Sequence, residues 1–500
     1  MSIRITGMES GLDTESIITE LVKANSTKID KLTKEQTRLQ WKQTAWQDLN
    51  SKIYSLFSGT LSKLRFSDAY KQKATTVSDT SKASIVASST AVDGTQTLTV
   101  DRMATSGYLT GARLSEDGSF TTSSKLSDIN ADLVGKTITV DDTEVTITED
   151  MTVSAFTKAL AKAGINASFD ATNQRFFLSA KATGEDADFT LGGDSDALAA
   201  LGLNWEDNLD EEGNVIDKTG AVRILGQDAK ITLNGAEFTS DTNTFSINGL
   251  TITAKAVTGE DEVLTINTET DYDGIYDTIK DFFTKYNEVV NEMSKLYNAD
   301  SNSDMDPLTD EEKSAMTESQ IDEWEEKIKS GLLSGDSTIS TVRNAMAEVM
   351  MSPITIDGKK VYLSDFGIST ADYFTADENE RYAYHIDGDS DDTISGTNAD
   401  KLKSAIAADP ESVASFFQQL CNNLYTKLNT LMASTTYSSI YKVYDDKQMK
   451  ADIEDYDDLI EAAQEKLTAQ EDKWYSKFSA METALSKINS QSSYLTSLFS

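Results

Sequence analysis

The sequence predicts an α+β multidomain protein, with terminal coiled-coil helical legs and a helical stalk carrying inserted β-rich head domains. Three observations carry that prediction. Apolar residues repeat every seven positions at both ends of the chain, the signature of helices that wind on other helices. Between the ends, short alternating runs are punctuated by Asn-Gly and Asp-Gly turns. The chain, at 500 residues, is too long for one core.

The N-terminal leg runs from Gly11 to Phe66 and contains no proline. Leu32, Leu39, Trp46 and Ile53 form one column; Val22, Ile29, Gln36, Gln43, Asn50, Phe57 and Leu64 form the other. Asp13 is the expected N-cap, followed by Ile17 and Ile18, and the helix is expected to run to about Arg65. The C-terminal leg, Ile453 to Phe499, holds Ile453, Ile460, Leu467, Trp474, Met481, Ile488 and Leu495 in one unbroken column. Gln36, Gln43 and Asn50 place amides where a stable seam wants Leu or Ile. Buried amides cost stability but fix register and partner choice, which suits legs that join an assembly. Periodicity alone describes a plain intramolecular hairpin of two long helices equally well.

From Thr75 the pattern turns to strand. Ala83–Ser88 and Thr95–Met103 flank the turn signal Asp93-Gly94, and Thr105 to Gly135 reads as polar loop. Lys136–Thr148 is a hairpin about Asp141-Asp142. Val153–Ala163 is an amphipathic helix closed by Gly164, and Ile165–Phe169 and Arg175–Ala180 are strands, the module ending near Leu203. A second β module follows in Ala229–Phe238, Thr244–Ile247, Leu250–Ala254 and Glu262–Asn267, with turns at Asn234-Gly235 and Asn248-Gly249. Helix returns at Tyr272, with Ile275, Ile279, Phe282, Phe283, Tyr286, Val289, Val290 and Met293 on one face. Further helices fit Gln320–Leu333, Thr338–Met351, Asp400–Ala407 and Pro410–Met432. Helix at both ends and β in the middle implies that the termini meet, with the β modules carried outward on a helical stalk.

The formal net charge is −38, from 83 Asp and Glu against 45 Lys and Arg. That balance argues against nucleic acid or an anionic membrane as partner, since both reward a basic face. The leg tips are near neutral, so they can crowd together where the acidic middle cannot. No apolar run is long enough to cross a bilayer, and Met1–Met8 has no leader-like apolar core. Cys421 is the single cysteine, at core spacing within Phe416–Leu424.

Little in the chain suggests catalysis. The one histidine, His385, cannot build a His-based metal cluster, and no nucleophile-elbow motif accompanies it. Gly192-Gly193 lacks the Lys-Ser/Thr of a phosphate loop. Asp300, Asn302, Asp304 and Glu311 follow EF-hand spacing, but Met305 stands where the turn needs Gly, so a solvated acidic loop is the simpler reading. Asp387, Asp389 and Asp391 share that defect and lack the closing Glu. Trp41, Trp46 and Trp474 sit at leg positions and are expected to pack rather than bind sugar. The expectation is a non-enzyme with no cofactor and no metal.

Taken together, the residues resemble the bacterial flagellar filament-capping family, also called hook-associated protein 2. The resemblance is carried by Gly7-Met8-Glu9-Ser10-Gly11-Leu12-Asp13 with Ile17, Ile18, Leu21 and Val22, by Ser84–Thr105, and by Ala229–Asn287, a β repeat shared with flagellins. Gly335-Asp336-Ser337-Thr338 with Arg343, Leu363–Ile368, Ala408–Phe417 and Asn489–Leu495 add to it in the right order. The module from Gly107 to Leu203 is less specific, and Ala371–Thr397 looks like an insertion.

The resemblance implies export through the flagellar channel with a dedicated chaperone, a self-assembled ring of five subunits at the filament tip, and contact with flagellin and the filament end. It implies a division into a filament-docking leg (1–40), a stalk helix (41–72), an inner head in two parts (73–106 and 205–271) and an outer head (107–204). A helical stalk (272–445, with a 371–397 loop) and a C-terminal leg (446–500) complete it. The assembly seam expected on this reading comprises Ile18, Val22, Ile29, Leu32, Gln36, Leu39, Gln43, Trp46, Asn50 and Ile53 with Ile460, Leu467, Trp474, Met481, Ile488 and Leu495. Two other classes stay open: another axial protein (flagellin-like or hook–filament junction), and an adhesin that binds host glycans through the β plate.

Overall fold

A computed structural model describes residues 10–210 and 212–499, with side chains as far as 496. The opening Met1–Glu9, where a leader-like core is not expected and the family resemblance begins, lies outside the described residues. The chain divides into two units: Met1–Tyr70 with Tyr272–Ser500, and the intervening Lys71–Asp271.

Helix α1 (Thr14–Ser55) starts where the cap predicts, the Asp13 carboxylate accepting from the Ser16 amide at 3.1 Å. The expected uninterrupted helix to Arg65 is broken by a π turn, Leu56–Leu61, before a short α2 (Ser62–Leu64). The extra residue in that turn rotates the following side chains, and Leu56, Phe57, Leu61 and Leu64 are all buried.

The second unit opens with β1 (Lys73–Val77), β2 (Ala83–Ala87) and β3 (Gly94–Arg102). Although β2 and β3 flank Asp93-Gly94, they do not pair; they enter different sheets. The chain continues through β4 (Tyr108–Thr110), α3 (Leu126–Ile129), β5 (Thr137–Val140), β6 (Thr143–Thr146) and α4 (Val153–Lys162). Then come β7 (Asn166–Asp170), β8 (Arg175–Ser179), β9 (Leu191–Gly193), α5 (Ser195–Ala200) and β10 (Val222–Ile224). These strands form sheets β10-β4-β8-β7 and β6-β5-β9 over a core of Phe156, Leu160, Phe176, Leu178, Ile138 and Val140. At Gly193 the backbone is left-handed, φ 108°, and a Cβ would meet the Thr137 carbonyl, so only glycine fits.

Residues 105–135 are not all loop, since β4 lies between β10 and β8 with Leu109 buried. Residues 205–224, expected with the inner head, instead supply β10 to the outer sheet, where Val222, Arg223 and Ile224 face Thr110, Leu109 and Tyr108. Strands of three residues are too short to display alternation; their partners define them.

The inner module is completed by β11 (Ala229–Leu233), β12 (Ala236–Ser240), β13 (Thr244–Ile247), β14 (Leu250–Ala254) and β15 (Leu264–Thr270). Its sheets are β1-β15-β3-β11-β12 and β13-β14-β2, enclosing Leu98, Val100, Ile231, Phe245, Ile252 and Ile266. Asn234-Gly235 and Asn248-Gly249 both take positive φ, as hairpin turns require.

The first unit resumes with α6 (Tyr272–Asn298), all eight predicted apolar positions of which are buried. It continues through α7 (Asp310–Ser314), α8 (Glu318–Ser330), α9 (Ser337–Met351), β16 (Ile354–Ile356), β17 (Lys359–Val361), β18 (Ile368–Thr370) and β19 (Tyr384–Ile386). The last helices are α10 (Lys401–Ala408), α11 (Pro410–Leu431) and α12 (Asp446–Phe499). The 371–397 segment, expected as a loop, contributes β19 and buries Tyr384 against Phe283 and Tyr286.

Cys421 is fully buried on α11, with the Tyr70 hydroxyl 3.6 Å from its sulfur. Burial pushes its thiol up to about 12. The folded chain is therefore expected to react with a disulfide reagent on the order of a hundredfold more slowly than the unfolded chain. Equal rates, followed by absorbance of the released thiolate, would show that this core opens readily.

Candidate assembly interface: the paired terminal helices

Helices α1 and α12 contain 42 and 54 residues, which at 1.5 Å per residue gives lengths of about 60 and 80 Å. They run antiparallel along each other. Polar rungs set the register: Asn25 Nδ2 donates to Gln470 Oε1 at 2.6 Å, and Gln36 Nε2 to Asp457 Oδ1 at 2.6 Å and to the Ile453 carbonyl at 3.3 Å. Tyr456 donates to Glu35 Oε2 at 3.2 Å, and the Ser10 hydroxyl and amide both donate to the buried Glu482 carboxylate. Burial, with Glu35 beside it, raises the Tyr456 phenol above its ordinary value.

The expected seam residues fall into three groups along this hairpin. At its root, Trp46, Asn50 and Ile53 are buried in the core of the first unit, Trp46 stacking on Tyr444 with ring centroids 5.3 Å apart. Along the shaft, Ile18, Val22 and Gln36 are buried. Ile29, Leu32, Leu39, Gln43, Ile460, Leu467, Trp474 and Met481 are only half-covered. At the far end of α12, Ile488 is 58% and Leu495 54% exposed. A pair of helices buries one stripe; the remaining apolar positions, with Leu12, Leu21 and Leu459 also exposed, are left for something else to cover.

The amide column is not what its spacing implies. Gln36 and Asn50 find partners inside the chain, while the Gln43 side chain makes no hydrogen bond among the described residues. Asn50 grips the turn ahead of α12: its Nδ2 donates to the Tyr441 carbonyl at 3.1 Å, and its Oδ1 accepts from the Val443 amide at 3.0 Å. Tyr441 is held in the left-handed region at φ 66°, with Tyr54 and Phe57 against its ring. The rungs at Asn25, Glu35 and Glu482, and the Tyr441–Tyr444 turn, were not among the expected residues. Opposed polar residues in an antiparallel register are the signal that points to them.

The chemistry-bearing candidates are occupied otherwise. His385 Nδ1 lies 2.7 Å from Asp392 Oδ2, and the Lys280 ammonium sits 2.6 Å from Asp389 and 2.7 Å from Asp391, where a cation would have to go. Asn302 donates its amide to the Lys327 carbonyl at 2.6 Å. Among the described residues, no group of three or more His, Cys, Asp or Glu side chains is arranged to hold a metal ion, and no helix is long and apolar enough to cross a membrane.

A long terminal helix pair with exposed apolar positions, joined to a helical core and β modules, defines a structural subunit. The chain belongs to the flagellar hook-associated protein 2 family: residues 10–107 match the family's N-terminal region and residues 226–490 its C-terminal region. It is 24% identical to flagellar hook-associated protein 2 of Halalkalibacterium halodurans, over 99% of this chain and 100% of that one. The same protein of Escherichia coli is 24% identical over 100% and 98% of the two chains. The fold is similar to a crystal structure of the Escherichia coli flagellar cap protein FliD (D1-D2-D3 domains). That comparison has a TM-score of 0.51 and 19% identity, covering 82% of this chain and 99% of that one.

Proposed function

We propose that this protein is a structural cap at the distal tip of the bacterial flagellar filament, where it retains exported flagellin and promotes its folding and insertion. The observation that carries this reading is family membership spanning both ends of the chain, together with the uncovered apolar stripes of the terminal helix pair. The α1–α12 hairpin is the leg that docks in the filament end, several copies form a ring (five, on the family resemblance), and the β modules form the plate above incoming flagellin. Delivery is through the flagellar export apparatus with a dedicated chaperone. Half-covered seams give weak, exchangeable contacts, which suits a cap that must shift as each subunit adds beneath it.

Gold-labelled antibody on whole cells, viewed by electron microscopy, tests the reading. Label confined to filament tips is expected. Label along the shaft would make the protein a flagellin-like component, and label at the hook a junction protein; either would overturn the cap.

A further inference from the structure

Lys34, Arg38 and Lys42 are spaced four apart, so they line one face of α1 as a basic stripe in an otherwise acidic chain. Each meets an acid from a single distant segment, residues 299–336. Lys34 lies 2.8 Å from Glu312, Arg38 3.1 Å from Asp306, and Lys42 3.3 Å from Asp336. Arg38 also donates to the Met305 carbonyl, and the Lys329 ammonium sits 4.5 Å from the centre of the Trp41 ring. The Lys34 ammonium, with the Thr309 amide, holds the Glu312 carboxyl below its usual range.

Apolar burial in this segment is concentrated outside its helices, at Pro307 and at Leu333, which belongs to the core. Of the residues in α7 and α8, only Ile328 is buried. Beneath the segment lies a cavity of about 390 Å³ lined by Glu35, Arg38, Lys42, Asn302, Ile328 and, from α12, Tyr456. The contact is therefore partly exposed and ionic, the kind that salt screens. It sits against α1 where the helix pair leaves the core, with Tyr456 of α12 on the cavity wall.

We propose that residues 300–332 form a releasable ionic latch on the root of the helix pair, swinging on Leu333 and the α9 cap Asp336, which stay with the core. Docked, the segment braces α1 and covers Lys34 and Arg38. Released by competing charge, it exposes Lys34 and Arg38 and leaves the root of the pair free to bend. This goes beyond capping and does not depend on it.

Hydrogen exchange on the full chain tests the latch. Raising salt from about 20 mM to about 0.5 M, where screening falls within a few ångströms, is expected to speed exchange of α7 and α8 amides about tenfold. Amides of α9 and α11 should be unchanged. Lys34→Glu with Arg38→Glu should produce the same acceleration at low salt, and Lys34→Glu combined with Glu312→Lys should return it towards the native rate. Exchange insensitive to both salt and charge reversal would overturn the proposal, as would acceleration spread equally through α9 and α11.

Discussion

Replacing Asn50 by leucine is expected to destabilise the first unit by about 1–3 kcal/mol, because it strands the buried Val443 amide and removes the partner of the part-buried Tyr441 carbonyl. A seam amide exchanged for an apolar side chain ordinarily strengthens a coiled coil, and the seven-residue column alone predicts that sign. The structure reverses it. Gln43, with no partner and half-covered, is the position where leucine should be neutral or stabilising. Denaturant unfolding of Asn50→Leu and Gln43→Leu, monitored through tryptophan fluorescence near Trp46, separates the two. An unchanged midpoint for Asn50→Leu would show that the Tyr441 turn is held by its aromatic neighbours instead.

Ile488→Asp together with Leu495→Asp is expected to leave the isolated chain's stability within about 0.5 kcal/mol of native, since both side chains are exposed. In cells the same pair should nearly abolish motility and release flagellin into the medium. On the proposed function, the far end of α12 is covered only on docking in the filament. Swarm diameter and an immunoblot of the culture supernatant read the outcome. Normal swarming with this variant would remove the end of α12 from the docking surface.

The parts of the fold that are legible in the sequence are those specified over a few neighbouring residues. The Asp13 cap, the apolar face of α6 and the Asn-Gly hairpins each need only a local pattern. What escapes depends on distant partners. β4 and β10 are three residues each and are defined by distant partners, β4 by β8 and β10, and β10 by β4 across more than a hundred positions. The candidate interface divides the same way. Its columns are visible at period seven, yet the sequence does not reveal that Asn50 holds a turn near residue 441, or that Lys34, Arg38 and Lys42 each face a carboxylate from 299–336. A heptad identifies a face; it says nothing of what comes to lie on it.

The antiparallel pairing of the two ends also dictates a folding order. Gln36 and Asp457 are separated by 421 positions, and Trp46 stacks on Tyr444 across a similar span. Closing so long a loop is entropically expensive and slow unless the intervening chain has already condensed. The stretch Lys71–Asp271 has its own cores and can form first. Helix α1, made earliest, has no partner for its seam until α12 arrives. A chain that emerges N-terminus first thus closes the pair at its root, Trp46 against Tyr444, before the rungs at Asp457, Gln470 and Glu482 can form.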